Sequence, residues 1–339
     1  MADKYFSIKS IIIIIMFLID KMSALSNCST TVWTSNATTI AGSLTGSSGF
    51  NSTLLNSPAA IMVGTNDSIY VLDCSTYCRM QLFYPGSQLG TTIINATYGT
   101  GLNQFSSIIG LTTDVNGNIY ILDKGNNRVT KWAPGASTGI LVAGGNGSGS
   151  SLNQVNSPWD FFVEPNTSYI WIADSANNRI VKWMNTSSAM LVAGGSGSGS
   201  QANQFSFPTG LFVDTSASNT LYVADFSNHR IQKWLNGASN GTTVAGQSGV
   251  SGSALNQLNE PFTLTMDMNK SLYIVDYGNN RIVLWLLGST SGIVIAGTGV
   301  AGALPSQLNN PWSVRLDSTG AFIVNDNSNN RIQRFPVLC

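Results

Sequence analysis

The sequence predicts an all-β fold, a six-bladed β-propeller of four-stranded antiparallel blades, on three observations. One residue pattern returns in register every 50 or 51 positions. Each copy divides into four short apolar or alternating runs separated by Gly, Asn, Ser and Pro. No 3.6-residue periodicity survives anywhere in the copies. A four-stranded unit cannot bury both of its faces alone, whereas six around an axis each use their neighbours as the missing layer.

The chain opens on a targeting signal. Lys4 and Lys9 precede an apolar run, Ile11 to Ile19, that ends at Asp20 and Lys21. The run is short of the ~20 apolar residues a membrane span requires. Its charged start and small-residue exit at Ala24 and Ser26 fit a secretory signal peptide over residues 1–26, cleaved near Ser26. The alternative is an uncleaved anchor. Residues 27–339 then form the propeller.

Export has independent support. Asn-x-Ser/Thr sequons stand at Asn27, Asn36, Asn51, Asn66, Asn95, Asn146, Asn166, Asn185, Asn240 and Asn269. Glycans on such sites explain how a chain with 9% charged residues stays soluble. The 16 basic residues balance 16 acidic ones with no basic cluster, which excludes a phosphate-neutralising nucleic-acid surface.

The repeat itself is clearest from Tyr120 to Trp132, which returns from Ile170 to Trp183 and again around Asp225, Asp276 and Asp326. A degenerate first copy holds Asp73 and Arg79. In the third copy the strands read as Trp159–Val163, Ile170–Ala173, Arg179–Trp183 and Met190–Ala193. The pattern Asp-x-x-Asn-x-Arg-Ile-x-x-Trp/Phe, after an apolar Tyr-containing strand and a Pro-started strand, resembles the NHL repeat. Gly110 and Gly210 keep a Gly that often starts the inner strand. The resemblance covers residues 38–335 and implies a propeller used mainly as an interaction platform. Kelch and WD-type repeats fit less well, because Gly144-Gly145 follows the outer strand and no Trp-Asp ending occurs.

The last copy stops at Phe335-Pro-Val-Leu-Cys339 without an outer strand, and Thr38–Gly42 matches the outer strands Leu141–Gly144 and Val244–Gly246. The N-terminal strand is therefore expected to complete the last blade and remove an open edge. Four cysteines allow three pairings. The expected ones are Cys28–Cys339 at the closure, which would stabilise by roughly 5 kcal/mol, and Cys74–Cys78 across the turn of the first copy.

Residues present in every copy should be architecture. The repeated Asp (73, 123, 174, 225, 276 and 326) ends the second strand and is expected to accept hydrogen bonds from the backbone of the turn that follows. The repeated Arg (79, 128, 179, 230, 281 and 331) offers a planar fork to a carboxylate or carbonyls. The third-strand aromatic (Phe83, Trp132, Trp183, Trp234, Trp285, Phe335) reads as inter-blade packing. A second acidic set, Asp114, Glu164, Asp214, Asp267 and Asp317, ends the inner strand. The alternative, six calcium sites or a ligand ring, asks site chemistry for six identical copies.

Outside the signal segment, Asp67, Asp160 and Glu260 are the acids left over. Asp160 and Glu260 flank inner-strand starts, where positions differ between blades: Trp159 and Asp160, Thr209, Glu260 and Phe262, Trp312 and Ser313. These seven are the candidate ligand-binding residues at the channel mouth. Aromatics beside one or two acids suit a peptide, a sugar or a small cation; ordinary packing at the rim is the other reading.

Enzyme readings are weaker. His229 is the one histidine, in a turn slot that is Asn in the neighbouring copies, so a three-His zinc site is impossible and a Ser-His-Asp triad would need that residue. Peptidylglycine amidating lyase has a similar repeat, but its metal site rests on histidines this chain lacks. The Gly-Ser stretches lead into no helix and form no phosphate loop. The expectation is a secreted, monomeric, non-catalytic module for an extracellular protein, peptide or glycan, without cofactor, nucleic-acid partner or retained membrane span. A calcium-dependent hydrolase or lyase with an oxygen-ligand site in the channel is the alternative function, and a role in an extracellular matrix a third.

Overall fold

A computed structural model describes residues 32–75 and 78–338. The signal segment, Asn27 and the expected Cys28–Cys339 bond lie outside them. Six sheets surround a central channel. Blade 1 uses Pro58–Val63, Ile69–Cys74, Cys78–Phe83 and Thr91–Tyr98 from the centre outwards. Blade 2 uses Ile108–Thr113, Ile119–Asp123, Arg128–Trp132 and Ile140–Gly144. Blade 3 uses Asp160–Val163, Ile170–Asp174, Arg179–Asn185 and Ser188–Gly194, and blade 4 Pro208–Asp214, Thr220–Asp225, Arg230–Trp234 and Thr242–Gly246. Blade 5 uses Pro261–Met266, Leu272–Asp276, Arg281–Trp285 and Ile293–Ala296. Blade 6 has Pro311–Leu316, Phe322–Asp326 and Arg331–Phe335, and Thr38–Gly42 pairs antiparallel with Arg331–Phe335 as its outer strand. The N-terminal strand closes the ring, as the sequence predicts.

Six apolar clusters form, one at each blade interface. Blades 4 and 5, for example, share Ala224, Ile231 and Ala245 with Leu258, Ile274 and Trp285. The third-strand aromatic always packs towards the preceding blade: Trp183 with blade 2, Trp234 with blade 3 and Phe83 with blade 6, among others. Burying each such ring stabilises by a few kcal/mol.

The repeated Asp and Arg face each other in register in all six blades. Each Arg Nε donates to its Asp at 2.7–3.1 Å, and every one of these carboxylates is sealed from solvent. Contrary to the expectation from sequence, the Asp does not cap the turn after it. That turn is a 3-10 turn without a side-chain cap from the Asp. The carboxylate instead reaches back to the loop entering its own blade, accepting from the amides of Asn56, Ser106, Asn156, Ser206, Asn259 and Asn309. In blades 2–6 the turn's Asn (126, 177, 228, 279, 329) donates to the same carboxylate and to a loop carbonyl. Burial pushes carboxyls such as Asp174 and Asp225 upwards, opposed by the amide, the Asn and the guanidinium.

The residue after that Asn adopts a left-handed conformation, φ 48–55°, and staples the next blade. Asn127, Asn178, Asn280 and Asn330 accept from the amides of Ser157, Phe207, Asn310 and Ser57. His229 occupies the same slot and its Nδ1 accepts from the Glu260 amide at 3.1 Å, so the lone histidine is a framework residue. Asn tolerates this conformation well, which explains its recurrence.

Blade 1 departs from the pattern. Its turn is bridged by the Cys74–Cys78 disulfide, and Arg79 meets one loop carbonyl, Leu54 O. Arg230 meets three, of Ser200, Gln201 and Gln204. Removing one partner of a buried pair costs about 3–5 kcal/mol. Arg230→Met is expected to lose a stability in that range by urea unfolding, and Arg79→Met clearly less. Equal losses would contradict this, and would mean that the Gln81 amide and the Phe50 ring beside Arg79 make up for its missing loop carbonyls.

Candidate functional site

The framework absorbs most of the charge. Beyond the six Asp–Arg pairs, Asp114 pairs with Lys131, Glu164 with Lys182, Asp214 with Lys270 and Asp317 with Arg334. Asp67 accepts from the amide and hydroxyl of Ser318, tying blade 1 to blade 6. Around the channel this leaves Lys124, Asp160, Glu260 and Arg315, none in an ion pair among the described residues.

The top of the channel is the end where the inner strands begin. The residue after the Pro that leads each inner strand (Ile108 in blade 2) is Ala59, Ile109, Trp159, Thr209, Phe262 and Trp312 in blades 1 to 6. Trp159 meets Phe262 at 5.4 Å and Trp312 at 6.0 Å between ring centroids, and Phe262 meets Trp312 at 5.5 Å. Blades 3 and 6 are opposite in the ring, so these rings span the mouth. Further ring contacts carry the cluster on through Phe207, Phe226 and Tyr277. Phe226 and Tyr277 follow the framework Asp of blades 4 and 5. The corresponding residue of blade 2 is Lys124, whose Nζ lies 3.4 Å from the Trp159 ring centroid. Burial draws the Lys124 amine down to about 8.

The seven residues singled out from the sequence do come together, but not all face solvent. Trp159 and Trp312 are half-buried as the rim of the cluster. Phe262 is 9% exposed beneath them. Thr209 and Ser313 are buried. The Thr209 hydroxyl donates to Phe262 O at 2.7 Å, so it ties blade 4 to blade 5 rather than meeting a ligand. Glu260 stands on the rim in a left-handed conformation, its amide held by His229 and its carboxylate unpaired among the described residues.

Asp160 lies one step below the rings, inside the channel wall. Its carboxylate accepts from the amides of Phe161 at 2.8 Å and, across the blade boundary, Leu211 at 3.0 Å. Burial pushes this carboxyl up to about 6, partly countered by the positive charge of Arg315. Arg315 enters from the opposite blade, two residues further along its strand, and burial pulls its guanidinium down.

The sequence reading missed Arg315, Lys124, Phe207, Phe226 and Tyr277. The signal was present: their positions are the ones where the copies disagree. Arg315 stands where the other blades have Met62, Thr112, Phe162, Phe212 and Thr265.

These residues do not suit a divalent cation. Calcium takes 6–8 oxygen ligands rich in carboxylate. The upper channel wall offers one carboxylate with a guanidinium opposite, and no group of three His, Cys, Asp or Glu converges among the described residues.

The family model of the NHL repeat matches residues 205–234 and 308–335, which are the entering loop and first three strands of blade 4 and most of the same unit of blade 6. The chain carries NHL repeats. No curated protein sequence matches it. A Bacteroides thetaiotaomicron protein of unknown function is similar in structure, with a TM-score of 0.66 at 17% identity over 91% of this chain and 76% of that one. An auxiliary nutrient binding protein from the same species gives 0.64 at 12% over 91% and 77%. A gluconolactonase from Xanthomonas campestris gives 0.61 at 14% over 92% and 96%. At such identities the likeness extends to the fold alone.

The buried Asp160 carboxyl makes stability depend on pH. A carboxyl titrating near 6 when folded and near 3.9 when unfolded costs the folded state nothing below about pH 4 and its full penalty above 6. Asp160→Asn is therefore expected to gain stability over the wild type as pH rises from 4 to 7, by on the order of 2 kcal/mol. Urea unfolding at three pH values checks this, and a constant difference would contradict it.

Proposed function

We propose that this chain is a secreted, glycosylated, non-catalytic binding module that takes an extracellular protein or peptide on its top face. The observation that carries the reading is the half-exposed aromatic cluster of Trp159, Phe207, Phe226, Tyr277 and Trp312, built from positions that the repeat leaves free. Aromatic rings rimmed by single charges, here Lys124 and Glu260, form the anchor points of many interfaces. Architecture alone would be served by any apolar residue at those positions.

The sequons support export. All nine within the described residues fall on exposed Asn residues. Asn66, Asn166 and Asn269 lie in turns after inner strands, and Asn185 and Asn240 in turns between third and outer strands, all at the bottom. None belongs to the aromatic cluster. Glycans there would cover the bottom, while Asn51 and Asn146 lie in loops that lead from an outer strand into the next blade at the top. The Cys74–Cys78 disulfide also fits an oxidising compartment. No helix among the described residues is long and apolar enough to cross a membrane.

A catalytic reading needs a centre, and the upper channel wall supplies one carboxylate, with no group of three metal-ligating side chains converging among the described residues. The gluconolactonase likeness therefore does not extend to its activity in this proposal.

The test uses the full chain secreted from eukaryotic cells, probed against arrays of extracellular peptides, protein domains and glycans. Wild type is expected to bind a peptide or protein and to lose at least about tenfold in affinity, roughly 1.4 kcal/mol, in the Phe226→Ser, Tyr277→Ser variant. Asn269→Gln at the bottom should leave binding unchanged. Binding that survives the aromatic changes, glycan binding alone, or turnover of lactones by the wild type would overturn the reading.

A further inference from the structure

Beneath the aromatic cluster the channel holds two charges that do not meet. Asp160 comes from blade 3 and Arg315 from blade 6, directly across the ring. They are near enough for each to feel the other's charge, yet they form no ion pair. The one other ionisable residue of the inner strands is Asp214, at the bottom end of blade 4 and paired with Lys270. At the level of Asp160 the other five blades place Ala60, Gly110, Gly210, Thr263 and Ser313. Arg315 sits roughly 7 Å deeper by strand rise.

Donors outnumber acceptors here. A guanidinium has five N–H donors, and Arg315 spends one, from Nη1 to the neighbouring Val314 O at 2.9 Å. Every other Arg of the described residues is committed to a carboxylate. The buried Ser313 hydroxyl and the Trp159 indole N–H also have no hydrogen-bond partner among the described residues. Both Asp160 and Arg315 retain accessible surface, so solvent reaches them. The wall thus presents a surplus of donors, one of them a planar fork that matches a carboxylate two bonds at a time.

We propose that the channel below the aromatic cluster binds a small carboxylate, of the size of formate or acetate, in the fork of Arg315 with the protonated Asp160 carboxyl donating to its free side. The ligand would meet the half-buried guanidinium that Asp160, held towards Leu211, does not reach. The neutral form of Asp160 is needed because two carboxylates would repel. Its burial already favours that form at mildly acid pH. The charged group acting on Asp160 is Arg315; Lys124 and Glu260 stand above on the rim, and Asp214 lies at the bottom against Lys270. Of these groups Asp160 is the one that titrates near 6, and Lys124, drawn down to about 8, begins to lose its proton only towards the upper end of that range. This site is separate from the top-face surface and stands or falls without it.

The experiment is titration calorimetry of the full chain with sodium formate at pH 5.0 and 7.5, with chloride and sulfate at matched ionic strength. Saturable formate binding at pH 5.0 is expected to weaken at least about tenfold at pH 7.5, as the neutral fraction of a carboxyl titrating near 6 falls. Arg315→Met should abolish it, and Asp160→Asn should bind formate equally at both pH values. If Arg315→Met does not fold, Arg315→Lys keeps the charge, loses the fork and must weaken formate while leaving chloride unaffected. No saturable formate binding, an equal response to chloride, retention in the Arg315 variant, or pH dependence retained in Asp160→Asn would each overturn the proposal.

Discussion

At the end of every second strand one carboxylate is removed from water and given a guanidinium, a backbone amide from the entering loop and, in five blades, an Asn carboxamide. An isolated buried charge would cost many kcal/mol, and a buried pair is neutral only when all its hydrogen bonds are made. The carboxylate therefore fixes the turn, the loop and the third strand in one geometry. The αL residue that follows then reaches the next blade. Register within a blade and the angle between blades are consequences of the same cluster, and the apolar interfaces close around it.

This division of labour explains why the fold is legible in the sequence. A pattern repeated in register at six places leaves few architectures, and the unpaired outer strand of the last copy points to Thr38–Gly42. The role of the repeated Asp is less legible. Its neighbours in sequence are the turn residues, but its backbone partner lies 16 to 19 residues earlier, as with Asn56 and Asp73. A side chain's reach across a strand pair is not visible as adjacency. His229 shows the converse: its appearance in an Asn column places it in the framework on pattern alone.

The candidate site is legible only in part, for a geometric reason. Trp159, Phe262 and Trp312 stand out by departing from their columns, but that the first and last touch requires the ring to bring blade 3 opposite blade 6. The same holds for Asp160 and Arg315, which are 155 residues apart in the numbering. Thr209 and Ser313 also depart from their columns yet are buried, because a variable column can serve a tie between blades as well as a surface. The structure thus separates a constant scaffold that consumes charge from a variable set concentrated on one face and in the channel.

The buried carboxylate clusters are the points that hold the ring. Native-state hydrogen exchange read by mass spectrometry or NMR tests this directly at the amides of Asn156, Ser206, Asn259 and Asn309, which donate to the carboxylates from loops near the surface. These amides should exchange as slowly as those of the buried second strands, requiring opening of whole blades. Exchange at the rate of the exposed bottom turns would show that the clusters open locally and that the apolar interfaces alone hold the propeller together.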